Sequence, residues 1–177
     1  MTEKGGTGMD KENFSEIVLN ATDELYRVSK AILKSDYDCE DAVQEAIAKA
    51  FEKLGTLRQD KYAKTWLIRI LIHECYQLLR YKRKTSALEE SILEAAEPEE
   101  NYSEVYQALY KLDEKQRLTI VLFYLQGYSI EEISRIIKTT QGTVKSRLNR
   151  GRNQLKSILK EEANYEFNHR TVREKLS

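Results

Sequence analysis

Cysteine, histidine, proline and long apolar runs are scarce in this sequence of 177 residues. No apolar run approaches the roughly 18–20 residues of a membrane-spanning helix, and the amino terminus has no apolar signal core. These absences favour a cytoplasmic protein. The 2 cysteines, Cys39 and Cys75, and the 2 histidines show no CxxC or HxxxH spacing, so neither a metal site nor another cofactor is predicted. We interpret both cysteines as small buried hydrophobic residues.

The sequence also lacks a recognisable set of catalytic residues. It has no paired carboxylates, no Ser-His-Asp arrangement and no phosphate-binding loop, which argues against an enzyme and against a small-molecule substrate. What it has is helical periodicity, because apolar residues recur at spacings of three and four and do not alternate at period two. With 1 proline and 7 glycines in a chain that is 41% hydrophobic, this pattern predicts an all-α protein with a packed core.

Charged residues occur in blocks, although the 29 basic and 29 acidic side chains cancel. Residues 58–84 hold 8 basic and 2 acidic side chains, and residues 138–160 hold 7 basic and no acidic ones. Between these blocks, residues 85–104 hold 7 acidic side chains and no basic ones. The formal net charge of zero therefore conceals two basic segments, which are typical of surfaces that bind nucleic acid.

The apolar pattern divides the chain into two small helical domains. Three helices are expected before the break; Asp38 is the expected N-cap of the second, and the third runs from about Ala63 to Lys84. Residues 85–103 lose the pattern and contain the single proline, which indicates a flexible acidic linker. Residues 1–11 and 163–177 show no apolar stripe and are expected to be terminal tails.

After the linker, the helical pattern resumes and contains two boundary signals. One helix closes at Gly127, and the next begins at Ser129, where Glu132 gives the spacing of a capping box. A polar turn at Lys138–Gln141 then leads into a last helix, so the segment reads as a short helix, a turn and a second helix. This arrangement, with a basic second helix, is typical of a DNA-binding helix-turn-helix.

The last helix is the strongest candidate for base recognition. Val144 and Leu148 are four residues apart and are expected to dock this helix on the preceding one, which leaves the residues around them facing outward. A solvated basic face on an ordinary bundle helix is the alternative, but such faces normally intersperse both signs of charge. The outward residues at its start and the bases further along, which are expected to meet phosphates, are Thr140, Gln141, Thr143, Lys145, Ser146, Arg147, Arg150 and Arg152.

The first basic block differs because its cations are interleaved with aromatic residues. Such a mixture suits single-stranded or melted nucleic acid, where bases stack on rings and cations follow the backbone. Trp66 falls on the apolar stripe and is interpreted mainly as a core residue, whereas Tyr62, Tyr76 and Tyr81 fall off the stripe. The second helix carries the segment DAVQEAIAKAF, whose polar face taken alone is that of an ordinary amphipathic helix.

The order of these motifs resembles the extracytoplasmic-function sigma factors of bacterial RNA polymerase. From about residue 14 to 160, DAVQEAIAKAF is followed by YAKTWLIRIL with LLRYKRK, the acidic linker, and EISRIIKTTQGTVKSRLNRGRNQL. The resemblance implies sigma region two at residues 12–84 and sigma region four at residues 104–162. It implies a protein that binds core polymerase and recognises the −35 and −10 promoter elements, helping to melt the latter.

The resemblance also assigns a role to each surface. The last helix would read the −35 element, and apolar surface on region four would hold the β flap of polymerase. The polar face of the second helix would pack on the β′ coiled coil, through Asp41, Gln44, Glu45 and Lys49. The −10 element would be held, with a flipped base, by Tyr62, Lys64, Arg69, His73, Tyr76, Gln77, Arg80, Lys82 and Arg83.

Two positions depart from the family pattern. His73 stands where the family usually has Asn, which leaves the −10 base preference open, and Asp113 stands where proline is common and would act as a helix N-cap. Family members are commonly held inactive by an anti-sigma factor, often membrane-anchored, that wedges between the two domains. The resemblance implies such a partner in addition to polymerase and promoter DNA.

The alternative function is a stand-alone helix-turn-helix repressor or activator with an amino-terminal helical effector domain. That function predicts tight duplex binding without polymerase, at two half-sites about one helical turn apart. The basic and aromatic block before the linker has no role in such a protein. A helical enzyme or a pure interaction module is disfavoured by the lack of catalytic residues.

Overall fold

The computed structural model describes the backbone of residues 8–86 and 104–175 and the side chains of residues 8–85 and 105–160. These residues form seven α-helices and no strand, which confirms the all-α prediction. None of the described helices is long and apolar enough to cross a membrane. The helices are α1 (Lys11–Lys30), α2 (Asp36–Glu52), α3 (Ala63–Ser86), α4 (Glu104–Tyr110), α5 (Glu114–Ile120), α6 (Ile130–Ile136) and α7 (Gln141–Lys175).

The amino-terminal unit, residues 8–86, packs α1, α2 and α3 around a common core. Phe14 is fully buried and makes edge-to-face contacts with Phe51, at 5.0 Å between ring centroids, and with Trp66, at 6.0 Å. Such aromatic pairs contribute beyond the apolar area they bury. Trp66 is half-buried and contacts this core, as its position on the apolar stripe predicted.

The prediction that Asp38 caps α2 is wrong. The helix begins at Asp36, and the hydroxyl of Ser35 accepts a hydrogen bond from the Asp38 backbone N–H at 3.4 Å. Both residue types are good N-caps, and capping by the upstream serine adds three residues, nearly a full turn, whose acidic side chains are stabilised by the positive end of the helix dipole. Asp38 is instead an interior residue whose carboxylate accepts hydrogen bonds from Lys82 Nζ at 2.7 and 2.6 Å.

The carboxy-terminal unit, residues 104–175, is built from three short helices against the long α7. Its boundaries follow the sequence signals: Asp113 accepts hydrogen bonds from the backbone N–H groups of Lys115 and Gln116, and Ser129 and Glu132 form the capping box. A π-helical turn at Val121–Leu125 extends α5, and Gly127 then reverses the chain with a φ of +74°, which glycine adopts without strain.

The expected linker and tails differ in their outcome. The helix α7 continues to Lys175, through the residues expected to be a carboxy-terminal tail. Most of the acidic linker expected at residues 85–103 lies outside the described residues, as does most of the expected amino-terminal tail. The buried side chains of the two units form one contiguous core, in which α3 packs against α6 and α1 packs against the π-helical turn.

Candidate nucleic-acid interface

The start of α7 presents the residues predicted to read bases. Val144 is fully buried and Leu148 nearly so, which fixes the helix on the unit beneath it. Thr140 precedes the helix, and its hydroxyl accepts a hydrogen bond from the Thr143 backbone N–H at 3.1 Å. The remaining predicted residues divide into exposed side chains and half-buried ones. Gln141, Lys145, Arg150 and Arg152 are exposed, and Ser146 and Arg147 are half-buried.

The middle of α3 carries most of the residues predicted to contact the −10 element. At 3.6 residues per turn they fall on the side of α3 that faces away from its core positions. The imidazole of His73 lies within 3.4 Å of Gln77 Nε2, and Tyr76 is half-buried. This stripe consists of Arg69, His73, Tyr76, Gln77, Arg80 and Arg83.

Three other predicted −10 residues lie elsewhere. Lys64 and Lys82 fall on the opposite side of α3 and pair with acidic residues of the same unit, Lys64 with Glu24 at 2.9 Å and Lys82 with Asp38. Tyr62 lies before α3, with Lys61 Nζ 4.9 Å from its ring centroid. The structure therefore brings six of the predicted side chains into one stripe and places the other three outside it.

The exposed face of α2 carries the residues predicted to contact polymerase. Asp41, Gln44 and Glu45 are exposed, as their spacing predicted. Lys49 is half-buried, and its ammonium group forms ion pairs with Glu45 at 3.0 Å and with Glu74 of α3 at 2.7 Å. Burial alone would raise the pKa of Glu74, but the hydrogen bonds from Lys49 and His73 outweigh it and hold that pKa below its usual range. Lys49 therefore links α2 to α3 in addition to lying beside the exposed face.

An apolar groove on the carboxy-terminal unit is a feature whose residues the sequence did not reveal. It lies between α4, the π-helical turn and α7, with a volume of about 480 Å³. Several large side chains in it are exposed, Leu125 by 42% and Leu159 by 54%. No sequence signal marks it, because Leu155 and Leu159 continue the helical spacing of the buried Val144 and Leu148 along α7. The groove is lined by Val105, Ala108, Leu109, Ile120, Tyr124, Leu125, Leu155 and Leu159, with Arg152 and Lys156 at its edge.

A second cavity, of about 510 Å³, lies between the two units. It brings Arg69, His73 and Tyr76 of α3 into the same space as Arg147 of α7. Burial, and then the hydrogen-bonded Glu114 carboxylate, raise the pKa of the Tyr76 hydroxyl. The two sets of predicted DNA contacts therefore face each other.

Neither cysteine takes part in these surfaces. Cys39 and Cys75 are unpaired and fully buried, as predicted, and burial raises the pKa of the Cys39 thiol to about 11. Within residues 8–85 and 105–160, no group of three His, Cys, Asp or Glu side chains is arranged to hold a metal ion.

Comparison with known proteins matches both units. The family model of Sigma-70 region 2 matches residues 19–85, and that of Sigma-70, region 4 matches residues 102–155. The ECF RNA polymerase sigma factor SigM of Mycobacterium tuberculosis is 30% identical over 154 residues, which cover 85% of this chain and 79% of SigM. The corresponding factor SigW of Bacillus subtilis is 28% identical over 171 residues, covering 86% and 91% of the two chains.

A solved structure matches the same range of the chain. The sigma factor RpoE of Bartonella quintana, in a co-crystal with the anti-sigma factor NepR, is similar with a TM-score of 0.73 and 29% sequence identity. The match covers 84% of this chain and 98% of that one.

Proposed function

Because the chain belongs to the extracytoplasmic-function sigma factors of RNA polymerase, we propose a role for each of its surfaces in promoter recognition. The protein binds core polymerase and directs transcription initiation at promoters with specific −35 and −10 elements. The observation that carries this function is that both sigma regions match in order along the chain. A stand-alone repressor or activator has no use for the first of these regions.

The two basic helices are the proposed DNA contacts. The exposed start of α7 reads the −35 element, because a helix with polar and basic residues at its amino-terminal end suits the major groove. The stripe on α3 follows the −10 element, where its tyrosine and imidazole rings stack on unpaired bases and its arginines contact phosphates. The ion pairs of Lys64 and Lys82 support an indirect role for these two residues, in holding α3 on its unit.

Core polymerase is proposed to contact two chemically different surfaces. The polar face of α2, with Asp41, Gln44 and Glu45, suits the β′ coiled coil. The apolar groove suits the β flap, because a groove with exposed Leu125 and Leu159 recovers buried area only when an apolar segment fills it. Binding both units to one polymerase places two weak DNA sites at a high effective concentration along the same promoter.

An anti-sigma factor is the proposed regulator. The RpoE structure that this chain resembles contains one, and the exposed groove and α2 face offer such a protein the same surfaces that polymerase needs. Competition for these surfaces would keep the sigma factor from polymerase until the regulator is removed.

Transcription from genomic DNA fragments tests the function. Purified core polymerase and the full chain are combined with the fragments, and transcript 5′ ends are mapped for each component alone and for both together. We expect a set of start sites that appears only when both are present, preceded by shared −35 and −10 sequences. Fragment binding that is strong and unaffected by polymerase, with no new start sites, would support the repressor function instead.

A further inference from the structure

A buried carboxylate contacts the stripe of α3 that is proposed to follow the −10 element. Glu74 has 8% of its surface exposed, and its two carboxylate oxygens have different partners. Oε2 accepts a hydrogen bond from Lys49 Nζ of α2 at 2.7 Å, and Oε1 lies 3.3 Å from Nδ1 of His73. Burial would raise the pKa of Glu74, but these two hydrogen bonds hold it below its usual range. Glu74 is therefore an ionised carboxylate, which accepts hydrogen bonds and donates none.

The imidazole of His73 contacts a polar partner at each ring nitrogen. A neutral imidazole carries one proton, so one nitrogen donates and the other accepts. Because the Glu74 carboxylate only accepts, the Nδ1 atom beside it carries the proton. Nε2 then accepts, and it lies 3.4 Å from the amide nitrogen of Gln77, which can only donate. Both contacts therefore fit a single tautomer of the neutral ring, with its proton on Nδ1.

The same tautomer orients the amide of Gln77. The amide nitrogen is turned to the imidazole, and the side chain is exposed, so the amide oxygen is available to a ligand on this surface of α3. An amide oxygen accepts a hydrogen bond from the exocyclic amino group of cytosine or adenine, whereas thymine and guanine present an oxygen at the corresponding position. Gln77 therefore favours an unpaired base that carries an amino group.

We propose that Glu74 is a positioning residue for −10 recognition: it holds the proton of neutral His73 on Nδ1, so that Gln77 presents its amide oxygen to an amino-bearing base, cytosine or adenine. The inference rests on the proposed function, because that function brings unpaired −10 bases to this stripe. It assigns a class of base to the surface around His73, where the sequence departs from the family pattern. Lys49 supports the arrangement, because its ammonium group occupies the other oxygen of Glu74.

Replacement of Glu74 by its amide tests the arrangement with little change of shape. In Glu74→Gln, the side chain has one accepting end and one donating end. The ammonium group of Lys49 only donates, so the amide oxygen turns to Lys49 and the amide nitrogen to His73. Nδ1 must then accept, the ring proton moves to Nε2, and Gln77 turns its oxygen to the ring. Glu52→Gln, at the exposed end of α2, is the matched change of charge.

Nitrogen NMR of the isotope-labelled full chain measures the tautomer, because protonated and unprotonated ring nitrogens resonate at different frequencies. The sequence has 2 histidines, so His169→Gln leaves only the imidazole signals of His73. Spectra recorded at about pH 8.5, above the usual imidazole pKa of about 6.5, show directly whether the ring is neutral. In this background we expect the proton on Nδ1, with or without Glu52→Gln, and on Nε2 after Glu74→Gln.

Transcription with core polymerase at the same pH measures the base preference. Promoters found with the wild-type chain are changed to every base at each −10 position. At one position we expect cytosine or adenine to be favoured over thymine or guanine about fivefold, the size of one hydrogen bond. Glu74→Gln should reverse this preference, Gln77→Ala should abolish it, and Glu52→Gln should retain it. Circular dichroism verifies that each variant is folded.

The proposal is overturned by a wild-type ring that carries its proton on Nε2 or carries two protons. It is also overturned if folded Glu74→Gln leaves the tautomer or the preference unchanged, or lowers transcription from all promoter variants equally. Gln77 is exposed, so Gln77→Ala keeps the test decisive if Glu74→Gln does not fold, and an unchanged preference in Gln77→Ala would refute the proposal. Each of these results can occur while the wild-type chain directs transcription, whereas absence of polymerase-dependent start sites would refute the proposed function itself.

Discussion

The two units differ in the surface that each leaves for a partner. In the amino-terminal unit, the exposed face of α2 is polar and charged, and the large apolar residues of its three helices pack mainly inside. The carboxy-terminal unit has shorter helices and leaves an apolar groove with Leu125 and Leu159 exposed. If both surfaces bind polymerase as proposed, the affinity of the first should depend on salt and that of the second on the apolar area it buries.

Their proposed DNA surfaces differ as well. Residues 138–160 of the carboxy-terminal unit contain no acid, so the basic side chains of this stretch have no acidic neighbour within it that would offset the local positive charge. In α3, Lys64 and Lys82 are already paired with acids of the same unit, and aromatic rings lie among the remaining cations. We therefore expect α7 to bind a duplex through electrostatics and hydrogen bonds, and α3 to depend more on stacking against unpaired bases.

The largest effect should come from charge placed in the apolar groove. The double variant Leu125→Asp with Leu159→Asp should weaken binding to core polymerase about hundredfold, because an unpaired carboxylate is costly to bury against an apolar segment. Fluorescence anisotropy of the labelled chain titrated with core polymerase measures the loss.

Leu19→Asp is the control for this variant, because Leu19 is the most exposed large apolar residue of α1 and lies outside the groove. It should leave polymerase binding unchanged. Equal losses in the two variants, or a double variant that binds as tightly as wild type, would show that the groove is not a polymerase contact.

A smaller effect should separate base reading from phosphate contact along α7. Arg147→Ala should cost about 1–3 kcal/mol on the cognate promoter and relax specificity at one −35 position, because a guanidinium can bind a base edge through two hydrogen bonds. Arg150→Ala, an exposed position further along the helix, should weaken all sequences equally and reduce the salt dependence. Holoenzyme binding to promoter variants, measured at several salt concentrations, compares the two.

Equal losses on cognate and unrelated DNA for Arg147→Ala would reassign it to a phosphate contact. The comparison between the units would then weaken, since both DNA surfaces would act mainly through charge.

The signals that the sequence predicted well are local ones. Asp113, Gly127 and the Ser129–Glu132 capping box act within one turn of chain, so their spacing alone determines the structure. The choice of Ser35 over Asp38 as N-cap was missed, because Asp38 is drawn to Lys82 in another helix, which no local pattern shows.

Contacts between distant segments account for the other features that were not predicted. The pairing of Lys64 with Glu24 and the burial of Arg117 under α1 depend on how helices pack, and a basic residue in the sequence gives no sign of either. The apolar groove could not be predicted either, because the sequence does not show which apolar side chains are left without a packing neighbour. The assignment of the α2 face to polymerase came from family resemblance, because an exposed polar face alone is ordinary.

The smallest effect should come from the polar face of α2, and its dependence on salt sharpens the contrast with the groove. Gln44→Ala and Glu45→Ala should each weaken polymerase binding about fivefold at low salt, because exposed polar contacts contribute little singly. Glu16→Ala, an exposed residue of α1, is the control.

Raising the salt should weaken the Glu45 contribution and leave the loss caused by the groove variant nearly intact, since screening acts on charges and not on buried apolar area. Glu45→Ala must also stay folded, as expected because Lys49 retains its pair with Glu74. An unfolded Glu45→Ala would make the α2 face structural, and a loss that ignores salt would contradict the division between a charged and an apolar polymerase contact.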